Sequence, residues 1–282
     1  MKKRNVLLIS GFGDMVGGGE VSFHGLLARM DRERFAPVVV CPEDGSFAEE
    51  VRKLGIDVQV ISMPTLRWGN PFALFQGVRR LHRLICERRI ELVHANGSRC
   101  AVYVGAAARS SGVPMIWHVR ILESDLLLDR MLAGLSSRII VNSLAVKRRF
   151  SWMKDDGMIR VVYNGIDLGR FVRRDDPERT RLGLGVKSGV PLIGIVGRLD
   201  WYKAHKYFLQ AAQKLLLMFP EARFVIVGDG ENRSRLQRQA KKLGLGGSVI
   251  FTGARSDIPD ILSALDVFAL SSVSEGFGRV VV

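Results

Sequence analysis

Short apolar runs alternate regularly with longer amphipathic stretches along this chain, and this pattern limits the folds that it can adopt. In the first half, apolar runs occupy residues 6–9, 38–41, 58–61, 92–95, 115–119 and 139–141. Runs of this length suit parallel strands that are covered on both faces. The stretches between them include residues 72–89, where apolar side chains recur at helical spacing. The alternation therefore predicts an α/β fold with a doubly wound sheet.

A charged, turn-rich segment at residues 170–189 interrupts this pattern. The alternation then restarts, with predicted strands at 192–196, 223–227, 249–252 and 267–270 and predicted helices at 203–219 and 232–243. We therefore predict two Rossmann-like domains, residues 1–172 and residues 173–282. The pattern alone leaves open whether the two halves are copies of one plan.

The net charge of +14 implies an anionic partner: nucleic acid, anionic lipid or a phosphorylated substrate. The sequence has no arginine-rich tail, zinc finger or aromatic RNA-binding motif, so we expect no nucleic-acid partner. Basic clusters at residues 79–80, 88–89 and 147–149 favour an anionic or membrane-borne acceptor. General solubility is the alternative reason for this charge.

The N-terminus resembles a signal peptide, but its apolar run has only five residues. A secretory signal needs about 7–15 apolar residues, and a membrane span needs about 20. The three cysteines lack metal-site spacing, and we read them as small buried apolar residues in a reducing compartment. We expect a cytoplasmic protein, with peripheral contact to the inner face of the cell membrane as a further expectation.

Several glycine-containing strings follow predicted strands. Gly11, Gly13 and Gly17 follow the first strand with the spacing G-x-G-x-x-x-G, which is one residue longer than the dinucleotide-binding motif. Such a loop can present backbone N–H groups to an anion, or it can simply connect a strand to a helix tightly. On this loop alone both interpretations stand.

Charged residues follow two strands of the predicted second domain. Arg198 and Lys203 lie just past the strand at 192–196, where open α/β sheets bind ligands. Glu275 lies in the string SSVSEGFG, after the last predicted strand. In the first domain His118 ends a strand, although a lone histidine is more often a packed residue. No DxD, HExxH, Walker or catalytic-triad pattern occurs.

Taken in order, the motifs resemble family 4 of the retaining glycosyltransferases, which have the GT-B fold of two Rossmann-like domains facing across a cleft. The resemblance covers nearly the whole chain. The matching strings are the glycines at 17–19, WHV with His118, VNS with Asn142 and Ser143, YNGID at 163–167, GRL with Lys203, VGDG at 227–230, FTG at 251–253 and SEGFG at 274–278.

The resemblance implies a nucleotide-diphosphate sugar as donor, no metal cofactor and a catalytic role for His118 and Glu275. Arg198 and Lys203 are then expected to hold the diphosphate, and His118 to face the sugar. Sugar hydroxyls are expected at Glu275 and at the backbone N–H groups of Phe277 and Gly278. Gly17 and Gly18 are expected near the diphosphate and the acceptor. No carboxylate is an obvious nucleophile.

The sequence departs from the family pattern at two places. Ala204 follows Lys203 where the family usually has glycine. A second glutamate of the family motif would fall one place beyond Val282. We therefore read the second domain as truncated and expect this chain to be inactive as a transferase.

Three functions remain from the sequence. The first is a retaining hexosyltransferase that acts on a glycan, lipid-linked or phosphorylated acceptor in cell-surface polysaccharide or glycolipid synthesis. The others are a non-catalytic nucleotide-sugar-binding fragment and a nucleotide-sugar epimerase on the same fold.

Overall fold

A computed structural model describes residues 2–64, 71–154, 157–172 and 176–282. The chain divides into two compact units, Met1–Ile166 and Asp167–Val282. The boundary predicted between residues 172 and 173 adjoins residues 173–175, which lie outside the described residues. No helix within the described ranges is both long and apolar enough to cross a membrane.

The first unit is built on one parallel sheet. Its described strands are β1 (Arg4–Ser10), β2 (Phe35–Cys41), β3 (Asp57–Val60), β4 (Leu92–Asn96), β5 (Met115–Val119), β6 (Arg138–Val141) and β7 (Ile159–Val161). They lie in the order β3-β2-β1-β4-β5-β6-β7, and all neighbouring pairs are parallel. The intervening helices are α1 (Gly18–Ala28), α2 (Ser46–Lys53), α3 (Pro71–Glu87), α4 (Ser98–Ser110), α5 (Leu126–Leu135) and α6 (Leu144–Lys147).

Strand β1 shows why the apolar runs are continuous. Leu7 and Ile9 pack into one hydrophobic cluster, whereas Val6 and Leu8 pack into another. Since alternate side chains of a strand point to opposite faces of the sheet, helices on both faces bury the whole run. The predicted doubly wound α/β fold is confirmed.

The second unit repeats this plan. Its described elements are α7 (Pro177–Gly183), β8 (Leu192–Val196), α8 (His205–Leu216), β9 (Arg223–Val227), α9 (Arg233–Lys242), β10 (Val249–Gly253), α10 (Ile258–Ala264) and β11 (Val267–Phe268). The strand order β10-β9-β8-β11 matches β3-β2-β1-β4 of the first unit, and the pairs are again parallel. The two halves therefore share one topology over these four strands, which the sequence pattern left open.

Helix α7 lies inside the segment that the sequence indicated as turn-rich. Asp176 caps it by accepting a hydrogen bond from the backbone N–H of Arg179 at 2.9 Å, and Pro177 begins the helix. Both are ordinary helix-start signals. Arg181 then bonds to Asp266 at 2.8 Å, just before β11. This tertiary contact anchors a helix whose sequence looks like a loop.

The basic cluster at residues 147–149, from which an anionic acceptor was expected, does not present Arg149 to a partner. Its guanidinium is 2% exposed and pairs with the fully buried carboxylate of Asp129 on α5. The rings of Trp117 and Phe150 lie 5.7 and 5.9 Å from its charged carbon. The reading of the cysteines as buried is likewise wrong for Cys86, which is exposed on α3, although Cys41 and Cys100 are buried.

Candidate active site

Each unit has a topological switch point, where neighbouring strands of the sheet lead into connections that run in opposite directions. In the first unit this point lies between β1 and β4, and in the second it lies between β8 and β11. Open α/β sheets bind ligands at such points, outside the carboxyl ends of the strands. The sequence-predicted residues Gly17, Arg198, Lys203 and Glu275 all lie in connections that leave these strands.

The middle of the glycine loop after β1 is used for packing. A side chain at Gly13 would overlap the carbonyl group of Glu43. The carbonyl oxygen of Gly13 accepts hydrogen bonds from two N–H groups in the first turn of α2. Asp14 accepts from the N–H of Ser46 at 2.9 Å and so caps the same helix. Gly13 and Asp14 therefore hold α2 against the loop.

The end of the loop begins α1. Gly17 is the N-cap, in extended backbone, and the helix starts at Gly18. A side chain at Gly19 would be 3.6 Å from Cδ of Arg120, so the first turn of α1 lies beside this cation. A helix N-terminus favours anions through its N–H groups and its dipole. This end of the loop is the part suited to binding.

His118 lies at the end of β5, next to Asn96 on β4, and its side chain is buried. Its Nδ1 is 3.1 Å from Nε2 of His94, and the two ring centroids are 5.3 Å apart with their planes within 17°. Burial, followed by the charge of Arg120, lowers the pKa of His118 well below its usual value. Burial likewise lowers the pKa of His94 to about 4. Both imidazoles are therefore neutral at pH 7.

Arg120 forms hydrogen bonds with asparagine side chains from three other segments. Its Nε donates to Oδ1 of Asn96 at 2.6 Å, and its Nη1 donates to Oδ1 of Asn164 at 2.7 Å. Asn142 donates to its backbone oxygen at 3.2 Å. The asparagines of the VNS and YNGID strings thus both bond to Arg120, Asn142 at its backbone and Asn164 at its guanidinium, while Ser143 caps α6 through the N–H of Val146.

Sequence reasoning missed His94, Asn96 and Arg120. The available signal was the period of two along each strand: His94 with Asn96, and His118 with Arg120, share a face where two neighbouring strands end. Single polar residues at the end of an apolar run gave no reason to link one strand with another.

In the second unit, the structure brings Lys203 and Glu275 together. Nζ of Lys203 donates to Oε1 of Glu275, and Oγ of Ser272 donates to the same oxygen at 2.8 Å. The two charged side chains are 15% and 24% exposed. Arg198 donates through Nε to Asp200 at 2.9 Å and is half exposed. Both cations and the carboxylate therefore lie on the switch-point loops of this unit.

The GRL and VGDG strings are packed against each other. A side chain at Gly228, whose φ is +138°, would overlap the carbonyl oxygen of Gly197. The N–H of Leu199 donates to the carbonyl oxygen of Asp229 at 2.9 Å. Close backbone approach thus explains the glycines of the VGDG loop, since a side chain at Gly230 would likewise meet the backbone of Leu199. Asp229 itself pairs with Arg233 at 3.0 Å, as a turn residue does.

Two residues near the Lys203–Glu275 pair have positive φ angles. Ala204 has φ +51° and ψ +37°, the left-handed conformation that glycine adopts at lower cost. Gly278 has φ +65° and begins a single 3₁₀ turn at Arg279–Val281, next to the half-buried Phe277. The site residues after β11 therefore lie in a turn stabilised by the Lys203–Glu275 contact.

Each unit matches a glycosyltransferase family model. The model described as Glycosyltransferase Family 4 matches residues 16–170, and the one described as Glycosyl transferases group 1 matches residues 177–282. The first match alone covers more than half of the chain.

Characterised relatives agree with these matches. The chain is 29% identical to UDP-Gal:alpha-D-GlcNAc-diphosphoundecaprenol alpha-1,3-galactosyltransferase of Escherichia coli, over 88% of this chain and 68% of the relative. It is 28% identical to the lipopolysaccharide core biosynthesis mannosyltransferase LpsB of Rhizobium meliloti, over 60% of this chain and 56% of that one.

A solved structure extends the likeness to the whole chain. Anabaena Alr3699/HepE, crystallised with UDP-glucose, superposes with a TM-score of 0.82 and 26% identity, over 98% of this chain and 76% of that one. Two parallel sheets with matching strand order, the motifs at their switch points and both family matches lead to one conclusion: the chain belongs to glycosyltransferase family 4 and has the GT-B fold.

Proposed function

We propose that this protein is a retaining glycosyltransferase that moves a hexosyl unit from a UDP- or GDP-sugar to a glycan or lipid-linked acceptor. Its role is in the synthesis of a cell-surface polysaccharide or glycolipid. The observation that carries the proposal is the cluster of Arg198, Lys203 and Glu275 at the switch point between β8 and β11. The two cations suit the diphosphate of such a donor, and the carboxylate suits the hydroxyls of its sugar.

Arg198 and Lys203 are proposed to bind the diphosphate. The guanidinium of Arg198 can grip phosphate oxygens with two N–H groups, whereas Lys203 acts as a point charge. An ammonium group has three donors, so Lys203 can hold Glu275 and a phosphate oxygen together. A UDP-sugar donor is supported by HepE, crystallised with UDP-glucose, and by the galactosyltransferase named for UDP-Gal.

Glu275 is proposed to accept hydrogen bonds from hydroxyls of the transferred sugar. The backbone N–H groups of Phe277 and Gly278 are proposed to donate hydrogen bonds to the oxygens of the same sugar. The anomeric C–O bond to the diphosphate breaks while a bond to the acceptor oxygen forms on the same face. The acceptor proton passes to the departing phosphate oxygen. No metal is proposed, since Arg198 and Lys203 can neutralise the charge that develops on the leaving group.

The first unit is proposed to bind the acceptor and to contact an anionic membrane through α3. Phe72 and Phe75 are 66% and 62% exposed, and Arg79, Arg80 and Arg83 are exposed on the following turns. Positions 72, 75, 79 and 83 are three and four residues apart, so they follow one side of the helix. Apolar rings beside arginines suit the interface of an anionic bilayer.

Vesicle sedimentation tests the membrane contact. Replacing Arg79 and Arg83 with Ala should weaken binding to anionic vesicles at low salt, because each nearby cation contributes about 1 kcal/mol. Replacing the exposed α9 pair Arg235 and Arg238 removes the same charge and should have much less effect. Equal binding to neutral and anionic vesicles, or equal losses in both variants, would contradict the proposal.

A release assay tests the transfer reaction. A transferase should give acceptor-dependent release of nucleoside diphosphate from a sugar donor, a result that would overturn the expectation that this chain is inactive, and NMR of the product should show the anomeric configuration of the donor. Binding without release would favour a non-catalytic protein. Release without an acceptor, together with an isomerised sugar, would favour an epimerase. An inverted product would overturn the retaining mechanism.

A further inference from the structure

We propose that His94 is a positioning residue that holds His118 in the tautomer with its proton on Nε2, so that His118 offers an N–H donor to a substrate oxygen. The contact with substrate rests on the function proposed above. The tautomer does not, because it follows from the hydrogen bonds of the protein.

The partners of His118 Nδ1 decide where the proton lies. Nη2 of Arg120 is 3.4 Å from this nitrogen. A guanidinium has donors only, so this long contact favours an accepting Nδ1 without fixing it. Nε2 of His94 is 3.1 Å from the same nitrogen, and by donating a hydrogen there it makes the shorter and stronger of the two bonds. A neutral His118 whose Nδ1 accepts carries its own proton on Nε2.

The surroundings of both rings exclude the charged form of His118. Its ring is buried, and the charge of Arg120 adds to the desolvation that depresses its pKa. Phe23 of α1 contacts the His94 ring edge-on at 5.6 Å, and the planes of the two imidazoles are within 17°. The His94 ring therefore contacts Phe23 and bonds to His118, and both contacts limit its orientation.

The Nε2 atom of His118 is buried, and no described group accepts a hydrogen bond from it. Buried polar groups are almost always paired, and one that is not often serves function. An N–H donor held in place without a protein partner suits a hydroxyl or phosphate oxygen of the substrate. The same atom in the other tautomer would be an acceptor and would repel a phosphate.

NMR of protein labelled with ¹⁵N-histidine tests the tautomer directly, without donor or acceptor. We expect the Nε2 of His118 to be protonated and its Nδ1 to be unprotonated at pH 7. A His118 with its proton on Nδ1 would overturn the inference. This result is independent of whether the protein transfers sugars.

Two variants separate positioning from packing. The amide of His94→Gln can still donate to Nδ1, whereas His94→Leu cannot. We expect His94→Gln to keep the tautomer and His94→Leu to populate the Nδ1–H form. With UDP-glucose as donor, His94→Leu should lower kcat/KM by about tenfold, the effect of one lost hydrogen bond, while His94→Gln recovers most of it.

An unchanged tautomer in His94→Leu would assign the role to Arg120 and overturn the proposal for His94. The function proposed above fails separately: if the tautomer is as stated but His118→Ala transfers normally, the role of His118 in transfer is wrong and its protonation is not.

Discussion

Lys203 Nζ donates a hydrogen bond to Glu275 Oε1, which joins the loop after β8 to the loop after β11. A second link runs beside it, because the N–H of Val273 donates to the carbonyl oxygen of Tyr202 at 2.9 Å. The pair therefore does two things: it places a carboxylate and an ammonium side by side, and it fixes the two loops relative to each other. A change at Lys203 acts on charge and on loop position together.

Replacing Lys203 with Ala should weaken the binding of UDP by about 1.5–3 kcal/mol, because a charge-assisted hydrogen bond to phosphate is lost. Isothermal titration calorimetry measures this directly. Lys206→Ala is the matched control, since Lys206 is exposed on α8 and the change of charge is the same. Equal UDP affinity in the two variants would show that Lys203 does not hold the diphosphate.

Replacing Glu275 with Gln keeps the shape of the side chain and removes its charge. We expect transfer from UDP-glucose to fall by about tenfold, since a charged acceptor for a sugar hydroxyl becomes neutral. UDP affinity should hold or rise, because Lys203 is no longer neutralised. Glu231→Gln, at an exposed acid of the same unit, is the control. A loss of UDP affinity that equals the loss of transfer would argue against a sugar contact.

Most strands were predictable because their residues are buried on both faces of the sheet, but β7, a strand of three residues, was not predicted. The predicted limits of β8 and β9 agree with the structure, and those of β1 and β10 differ only at the ends. The pairing of Arg149 with Asp129 was not predictable, because nothing local shows that α5 lies opposite that arginine. The contact between His94 and His118 was not predictable for the same reason, because the two residues are neighbours only through the register of β4 and β5.

Replacing Asp129 with Ala should lower the free energy of unfolding by about 3–5 kcal/mol, because Arg149 would remain buried without its partner. Urea denaturation measures the change. The double variant Asp129→Leu with Arg149→Met should recover much of the loss, since it removes both charges. As a control, Asp44→Ala breaks an exposed pair with Arg52 and should have little effect. A small loss in Asp129→Ala would mean that water reaches Arg149.

Replacing Ala204 with Gly should raise the free energy of unfolding by about 0.5–1 kcal/mol, because Ala204 has positive φ. Ala211→Gly provides the opposite control: it is exposed within α8 and should cost about 1 kcal/mol. Thermal or urea unfolding of the two variants gives the comparison. Equal destabilisation by both changes would show that the left-handed conformation carries no strain.

Stability should fall on acidification below pH 6.5, because three buried histidines resist protonation in the folded chain. Burial lowers the pKa of His94 and of His205 to about 4, and that of His118 lies well below its usual value. Between pH 6.5 and about 4 the unfolded chain therefore binds protons that the folded chain does not. The free energy of unfolding should then decrease by up to about 1.4 kcal/mol per pH unit for each such histidine.

Urea unfolding at pH 7.5, 6.5 and 5.5 measures this slope while most carboxylates remain ionised in both states. His205→Gln should remove the contribution of one histidine to the pH dependence of the free energy of unfolding, because both ring nitrogens of His205 are buried without partners among the described groups. Its slope should therefore be shallower than that of the unmodified chain, even if its stability at pH 7.5 differs. A free energy of unfolding that stays constant from pH 7.5 to 5.5 would mean that these rings take up protons in the folded state, and neutral His118 would then no longer be tenable.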